Sequence, residues 1–240
     1  MARREWEIAR FEIAGATAVF TGRLGGHSAA PWDSFNLADH VGDDPGAVMS
    51  NRLELAAEIG LSGLVGMEQV HGADVVRVGA VPSEGPPIGR GPACDGLTTG
   101  ITNLGLMALA ADCVPLAIAG PQAVAAVHAG WRGIAAGVVG NAVEAVAASD
   151  GGPIEAAVGP SARACCYEVG VEVMDALGVE ASAGTGTIDL QEQVTTRLRA
   201  LGVEIVGTVD RCTICDPALF SHRAGGPQTG RQGVIAWLNS

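Results

Sequence analysis

The chain has 240 residues and a formal net charge of −12, a length that suits one large domain or two small ones. That charge argues against a nucleic-acid backbone or an anionic membrane as the main partner, since both demand Lys/Arg patches. Hydrophobic residues make up 48% and aromatics only 4%, so the core must pack Ala, Val, Leu and Ile, with close backbone approaches at Gly.

No stretch reaches the roughly 20 uninterrupted apolar residues of a membrane span. The run from Leu104 to Ala119 comes nearest, and Asp112 and Pro115 interrupt it. Met1-Ala2-Arg3-Arg4 is followed by Glu5 and Glu7 with no apolar run, so no signal peptide and a cytoplasmic location are expected. The six Cys are then expected as thiols, metal ligands or core residues, not as a disulfide framework.

In chain order, Glu5 to Phe20 reads as strands, clearest at Ala16 to Phe20. A long loop, Thr21 to Asp44, carries Arg23, His27, Asn36, Asp39 and His40. Loops of that length in a compact domain are usually functional or disordered. Asp44-Pro45 starts a helix as N-cap and N1. It runs to Ile59 with Val48, Leu53, Leu55 and Ile59 facing the core, and stops at Gly60. Val65 to Val78 holds two strand-like runs around His71-Gly72. Gly79 to Pro92, with four Pro, reads as an exposed connection. Strands are expected at Leu104–Ala110, Val114–Ala119 and Ala123–Val127, then one helix from about Gly133 to Ala148. A turn at Ser149 to Pro153 leads to a strand at Ile154–Val158. Further helices are expected at Val169–Leu177 and Asp189–Leu201, the latter with a capping box of Asp189 and Glu192. Val203–Val209 and Gly233–Leu238 close the set as strands, with a helical turn at Asp216-Pro217 before the last. There is no internal repeat and no long linker. The expected fold is α+β, a single domain over residues 1–240 with mixed β-sheets flanked by helices.

The residues suited to chemistry end or interrupt strands: His71, Cys113 and His128. Two imidazoles and one thiolate are a zinc donor set, and three protein ligands leave a fourth position open, the arrangement of catalytic zinc. The spacing does not single this set out. Cys212-x-x-Cys215 resembles half a zinc knuckle that Cys165 and Cys166 could complete as a structural site. Adjacent cysteines reach one metal less easily than the usual spacing allows, so this set ranks lower. A metal-free cysteine hydrolase would use Cys113 as nucleophile and His128 as base. It leaves His71 without a role. A multicopper oxidase needs about ten His; the chain has five. Arg132 follows His128 at a helix entrance, where N–H groups and a guanidinium attract anions. Gln69 shares a face with His71 if that stretch is a strand.

The ordered motifs FTGRLGGHS, SFNLADHVGDDP, EQVHGADV, CDGLTTG, ADCVPLAI, AAVHAGWRG, AVGPSARACCYEVG, the DLQEQVTTRL helix, CTICDPALFSHR and GRQG cover nearly the whole chain. With them the chain resembles the laccase-like multicopper polyphenol oxidase family. That family is now regarded as zinc-dependent purine nucleoside enzymes, and some bacterial members are called peptidoglycan editing factors. The resemblance implies a YfiH-like α+β fold. It implies His71, Cys113 and His128 as metal ligands, with zinc rather than copper. It also implies phosphorolysis of adenosine, inosine, guanosine and methylthioadenosine, and deamination of adenosine by water attack at C6. Purine nucleosides and inorganic phosphate are the implied partners. Within that reading Arg132 and Arg23 are phosphate candidates, and Asn36 and His40 are ribose or proton-shuttle candidates. Gln69 is a candidate pocket residue. Asp112 is a candidate to orient a ligand. The alternative is an editing hydrolase acting on a nucleotide-linked muramyl precursor at the same site. Two departures stand out. Gly22 replaces a family Thr or Ser before Arg23. Ser221-His222-Arg223-Ala224 lacks one basic residue of a SYRR-like stretch. Cys212 and Cys215 fall within a family motif, which points to core packing. No feature of the sequence speaks to oligomeric state.

Overall fold

The computed structural model describes residues 4–61, 63–80, 91–149, 152–180 and 185–240. Two mixed sheets are stacked, and each is covered on its outer face. The first sheet has the order β1 (Glu7–Ile13), β2 (Ala16–Thr21), β13 (Gln232–Leu238), β6 (Leu104–Ala110) and β3 (Gly63–Val65). The second runs β12 (Glu204–Thr208), β9 (Glu155–Val158), β7 (Val114–Gly120), β8 (Ala123–Ala129), β5 (Gly96–Thr99) and β4 (Val75–Arg77). A short ribbon pairs β10 (Glu168–Gly170) with β11 (Thr185–Thr187). The pairs β3/β6, β4/β5 and β12/β9 are parallel; the other pairs within the two sheets are antiparallel. The α+β fold with mixed sheets is as the sequence implies.

Period-2 alternation sorts each strand's side chains between layers. In β6, Leu104, Leu106 and Ala108 face the layer between the sheets, while Met107 and Leu109 face outward. The inter-sheet layer is rich in Ala, including Ala16, Ala18, Ala108, Ala117, Ala126 and Ala236, with Phe20 as a large filler. The central strands β6, β7, β8 and β13 are buried along their full length. They therefore read as continuous apolar runs, as strands covered on both faces do. The outer face of the second sheet packs on α2 (Trp131–Ala136), α3 (Val138–Ala147), α4 (Val171–Leu177) and α5 (Leu190–Ala200). The outer face of the first sheet is covered by α1 (Pro45–Ile59) and by the loop before it, through Phe35, Leu37, Ala38 and Val41.

That loop has no regular secondary structure, yet it is ordered by side chains. Asn51 of α1 is fully buried. Its amide donates to Ser28 Oγ at 3.0 Å, Ser34 O at 3.2 Å and Asn36 O at 2.8 Å, and its Oδ1 accepts from His27 N at 2.8 Å. The buried face of α1 is therefore partly polar: Asn51 and Arg52 point inward with Val48 and Leu55, and Leu53 is exposed. Leu53 on the core face is thus corrected, because the covering loop needs hydrogen-bond donors from the helix more than it needs another apolar side chain. The Asp44 cap and Pro45 start are as expected, with Asp44 accepting from Ala47 N at 2.8 Å. Asp189 caps α5 through Glu192 N at 3.1 Å.

The helix expected from Gly133 to Ala148 is two helices. Gly137 at φ 98° ends α2 and begins α3, a left-handed conformation that favours glycine. The stretch from Val65 to Val78 is strand only at its two ends, and Asp216-Pro217 forms a turn rather than a helix; α6 (His222–Gly225) follows it. The expected exposed connection from Gly79 to Pro92 and the turn at Ser149 to Pro153 lie in part outside the described residues, at 81–90 and 150–151. Among the described residues no helix is long and apolar enough to cross a membrane.

Because Asn51 satisfies four partners, Asn51→Leu should strand buried backbone groups. Urea unfolding should show a loss of about 2–4 kcal/mol. A loss below about 1 kcal/mol would mean the loop finds other partners.

Candidate metal centre and cavity

Three chain segments deliver the donors. β8 carries His128 near its end. The connection from β6 to β7 crosses from the first sheet to the second and carries Cys113. The irregular segment between β3 and β4 carries His71. One ligand atom from each of His71, Cys113 and His128 lies within 4.8 Å of the others. The two imidazole rings meet edge to face with centroids 4.9 Å apart. The expected triad is therefore brought together.

Asp95, which precedes β5, holds this arrangement. It is fully buried. Its Oδ1 lies 2.8 Å from His128 Nδ1 and accepts from His71 N at 3.0 Å. Its Oδ2 accepts from Gly72 N at 2.6 Å and Val70 N at 3.2 Å. The same residue's carbonyl accepts from His128 N at 2.8 Å. One carboxylate thus closes the turn that places His71, which sits at φ 59°, and also orients His128. With Nδ1 engaged, Nε2 of His128 is the nitrogen available to a metal. Burial would raise the Asp95 pKa. The hydrogen bond from His128 and those from the backbone outweigh it and hold the carboxyl below the usual range. The only sequence signal was an acid just before the glycine that starts β5, which any turn would also show.

Asp112 stands beside Cys113 at φ 90°. Its Oδ1 accepts from Thr213 Oγ1 at 2.6 Å and its Oδ2 from Arg223 N at 2.6 Å. The left-handed backbone at this point turns the chain between the sheets, and the two hydrogen bonds secure it. Gly130 completes the cluster. A Cβ there would lie 2.9 Å from Cys113 Sγ and 3.1 Å from His71 Cδ2, so the packed donors exclude a side chain.

Burial would push the Cys113 thiol up. The charge and hydrogen bonds of His128, and then of His71, outweigh that and bring it down to about 6. For His128, burial would lower the value; the Cys113 thiolate and the Asp95 hydrogen bond raise it to about 9. The metal-free pair is therefore a thiolate–imidazolium pair at neutral pH. The donor set, the buried carboxylate behind one imidazole and the side-chain-free position at Gly130 fit a metal ion with two nitrogen ligands and one sulfur ligand.

The cluster opens into a cavity of about 550 Å³, within the range of small-molecule sites. Arg52, Arg132, Arg223 and Arg231 line it, with His40, Gln69, Asp112, Trp131, Tyr167 and His222. The Arg132 guanidinium lies 4.2 Å from the Trp131 ring centroid, and that of Arg223 lies 4.8 Å from the Tyr167 ring. Arg52, Arg231 and Asp95 were absent from the sequence-based site. The arginines sit in unrelated segments, and nothing local to them signals a shared cavity.

Of the remaining expected residues, Arg132, His40, Gln69 and Asp112 line the cavity. The Gln69 amide is committed to the backbone, donating to Leu109 O and accepting from Leu109 N, each at 2.8 Å, and its segment is not a strand. Arg23 is not among the lining residues; it pairs with Asp33 at 2.9 Å and lies over Phe220. Asn36 is not among them either. It is fully buried and bonded to Ala38, Asp43 and Arg231 N, so it ties the loop to the start of β13.

A family model described as multi-copper polyphenol oxidoreductase laccase matches residues 17–239. The chain belongs to this laccase-like family. A relative in Mycobacterium tuberculosis (strain H37Rv), named a purine nucleoside phosphorylase, is 43% identical over 235 residues, covering 92% of this chain and 91% of its own length. A Streptomyces coelicolor relative with the same activity in its name is 39% identical over 96% of this chain and 98% of that one. Among solved structures, YlmD from Geobacillus stearothermophilus aligns at TM-score 0.80 and 34% identity, over 95% and 93% of the two chains. YfiH from Bacillus licheniformis aligns at TM-score 0.86 and 29% identity, over 93% and 92%. The laccase-like family thus carries its copper-oxidase description onto a chain with five His, of which two enter the triad.

Two outcomes test this centre. Asp95→Asn should weaken metal binding about 10–100-fold, read by competition with a chromogenic chelator; unchanged affinity would remove Asp95 from the site. Between about 6 and 9 the Cys113–His128 pair holds one proton. Metal binding needs the thiolate and the neutral imidazole, so loading at pH 7.5 should release about one proton from this pair. Calorimetry in buffers of different ionisation enthalpy measures it.

Proposed function

We propose that this chain is a zinc-dependent purine nucleoside enzyme. Its reactions are phosphorolysis of adenosine, inosine, guanosine and methylthioadenosine and deamination of adenosine. The observation that carries this reading is the convergence of the His71/Cys113/His128 cluster and four arginines on one cavity, in a chain whose relatives are named for purine nucleoside phosphorolysis. Four cations around one cavity in a chain of net charge −12 favour a small anion such as phosphate as co-substrate.

His71, Cys113 and His128 would hold the zinc, which when bound supplies a Lewis acid that polarises an oxygen ligand. The remaining chemistry belongs to the chain. The Trp131 and Tyr167 rings offer faces against which a purine can stack. Arg132 binds phosphate at the entrance of α2, with Arg223 and Arg231 on the same cavity. In phosphorolysis a phosphate oxygen bonds to C1′ of the ribose as the C1′–N9 bond breaks, and the electron pair leaves with the purine. That leaving group needs a proton, and His40 on the cavity lining is the group assigned to deliver it. Asp112 is a positioning residue, since both of its oxygens are engaged in holding the Cys113 turn.

A second reading rests on one feature. Cys113, His128 and Asp95 also form a thiolate, imidazole and carboxylate in sequence, the pattern of a cysteine nucleophile with an oriented base. The two readings part on metal removal. The zinc reading expects chelator-treated protein to lose nucleoside turnover and to regain it with zinc, whereas the hydrolase reading expects activity to persist.

With adenosine as substrate, adenine and ribose 1-phosphate should appear only when phosphate is present, and inosine should appear without it. Absence of turnover of every nucleoside at a metal-replete site would sink the proposal. His71→Ala should lose both metal and turnover. Arg132→Ala should raise KM for phosphate about 10–100-fold, as expected for losing a charge-assisted contact.

A further inference from the structure

A second thiol cluster lies outside the cavity lining. Cys165, Cys166, Cys212 and Cys215 bring their four sulfurs within 4.8 Å of one another. They come from two turns far apart in the chain. In the first, Cys166 N and Tyr167 N both donate to Arg163 O. In the second, Asp216 N donates to Cys212 O at 3.0 Å, wrapping the backbone around the Cys-x-x-Cys pair. A parallel bridge joins Ser161 to Cys212. Cys165 and Cys215 are exposed, and Cys166 and Cys212 are half-buried. The core-packing role expected for Cys212 and Cys215 is thereby corrected: these thiols sit at the surface and face one another.

We propose that these four cysteines bind one zinc ion as a structural site, separate from the His71/Cys113/His128 centre. A tetrahedral zinc with Zn–S bonds of about 2.3 Å spaces its sulfurs about 3.8 Å apart. Cys165 Sγ and Cys215 Sγ are 3.6 Å apart, and all four sulfurs lie within 4.8 Å of one another. Cys166 and Cys215 are joined as a disulfide in this structure, with Cα atoms 7.1 Å apart. Bridged cysteines usually hold their Cα atoms about 4.4–6.8 Å apart. Ligands spread around a metal tolerate the wider spacing, and a disulfide would leave Cys165 and Cys212 without a role. A soft thiolate set in tetrahedral array selects zinc among common divalent ions.

The site has a purpose in the fold. Its two turns lie outside the two main sheets. They carry Tyr167, which lines the cavity, and Thr213, which bonds Asp112 next to Cys113. A metal here would staple the wall of the cavity and, through Thr213, the turn that presents Cys113.

The test is zinc stoichiometry of the full chain, purified under reducing conditions without oxygen. Wild type should hold two zinc ions per chain. Cys212→Ser should hold one and unfold at lower temperature, and His71→Ala should also hold one. A wild type whose single zinc is lost only in Cys212→Ser keeps this proposal and overturns the catalytic zinc instead. A wild type whose single zinc is lost only in His71→Ala overturns this proposal, as does an intact Cys166–Cys215 disulfide in the reduced preparation or iron at the cluster. Should Cys212→Ser fail to fold, cobalt-substituted wild type decides. Thiolate-to-cobalt charge transfer should match five thiolates, and intensity matching Cys113 alone would overturn the site.

Discussion

The carboxylate of Asp95 is the interaction on which the cavity depends. A fully buried anion is costly unless it is paired and hydrogen-bonded, and this one is satisfied by three backbone N–H groups and an imidazole. The cost of burying it is offset only when the segment at 70–72 and the end of β8 are both in place. The carboxylate therefore joins the His128 imidazole to the backbone of His71 before any metal arrives. Cys113 is brought to the same point by a different device, a left-handed residue at the crossing between sheets. Preorganisation of this kind reduces what a ligand must order on binding.

The sheets supply the rigid frame. Alanines between them let the two strand layers pack closely around Phe20, Leu97, Leu104 and Leu106, and two further apolar clusters lie on the outer faces. The few aromatic rings are spread among these clusters and the cavity. Trp6 stacks on Phe35 with centroids 5.2 Å apart under the loop that covers the first sheet, and Trp131 and Tyr167 stand at the cavity.

Much of this was legible in the sequence. Strands buried on both faces announce themselves as unbroken apolar runs, and β6, β7, β8 and β13 fall close to where those runs do. Caps with a local mechanism, Asp44 before Pro45 and Asp189 before Glu192, were equally readable. The ligand triad could be named because a resemblance singled it out, not because its spacing did. What escaped were features made by tertiary contact. Asp95 acts across to segments remote in sequence, Asn51 faces inward only because a loop lies over α1, and the arginines of the cavity share no local pattern. The opposite error also occurred: Arg23 and Asn36 are chemically useful residues in a dense loop, but their partners are structural. The adjacency of Cys165 and Cys166 argued against a shared metal, and only the folded turns show all four sulfurs converging.

The crossing between β6 and β7 has a mechanical consequence. Cys113 lies just beyond the end of β6 and immediately before β7, and β7 pairs with β8, which carries His128. A metal held by Cys113 and His128 therefore closes one end of the β7/β8 ladder, at the point where the chain arrives from the first sheet. Fraying of that end would stretch the coordination, so an occupied centre should resist local opening of the crossing between the layers.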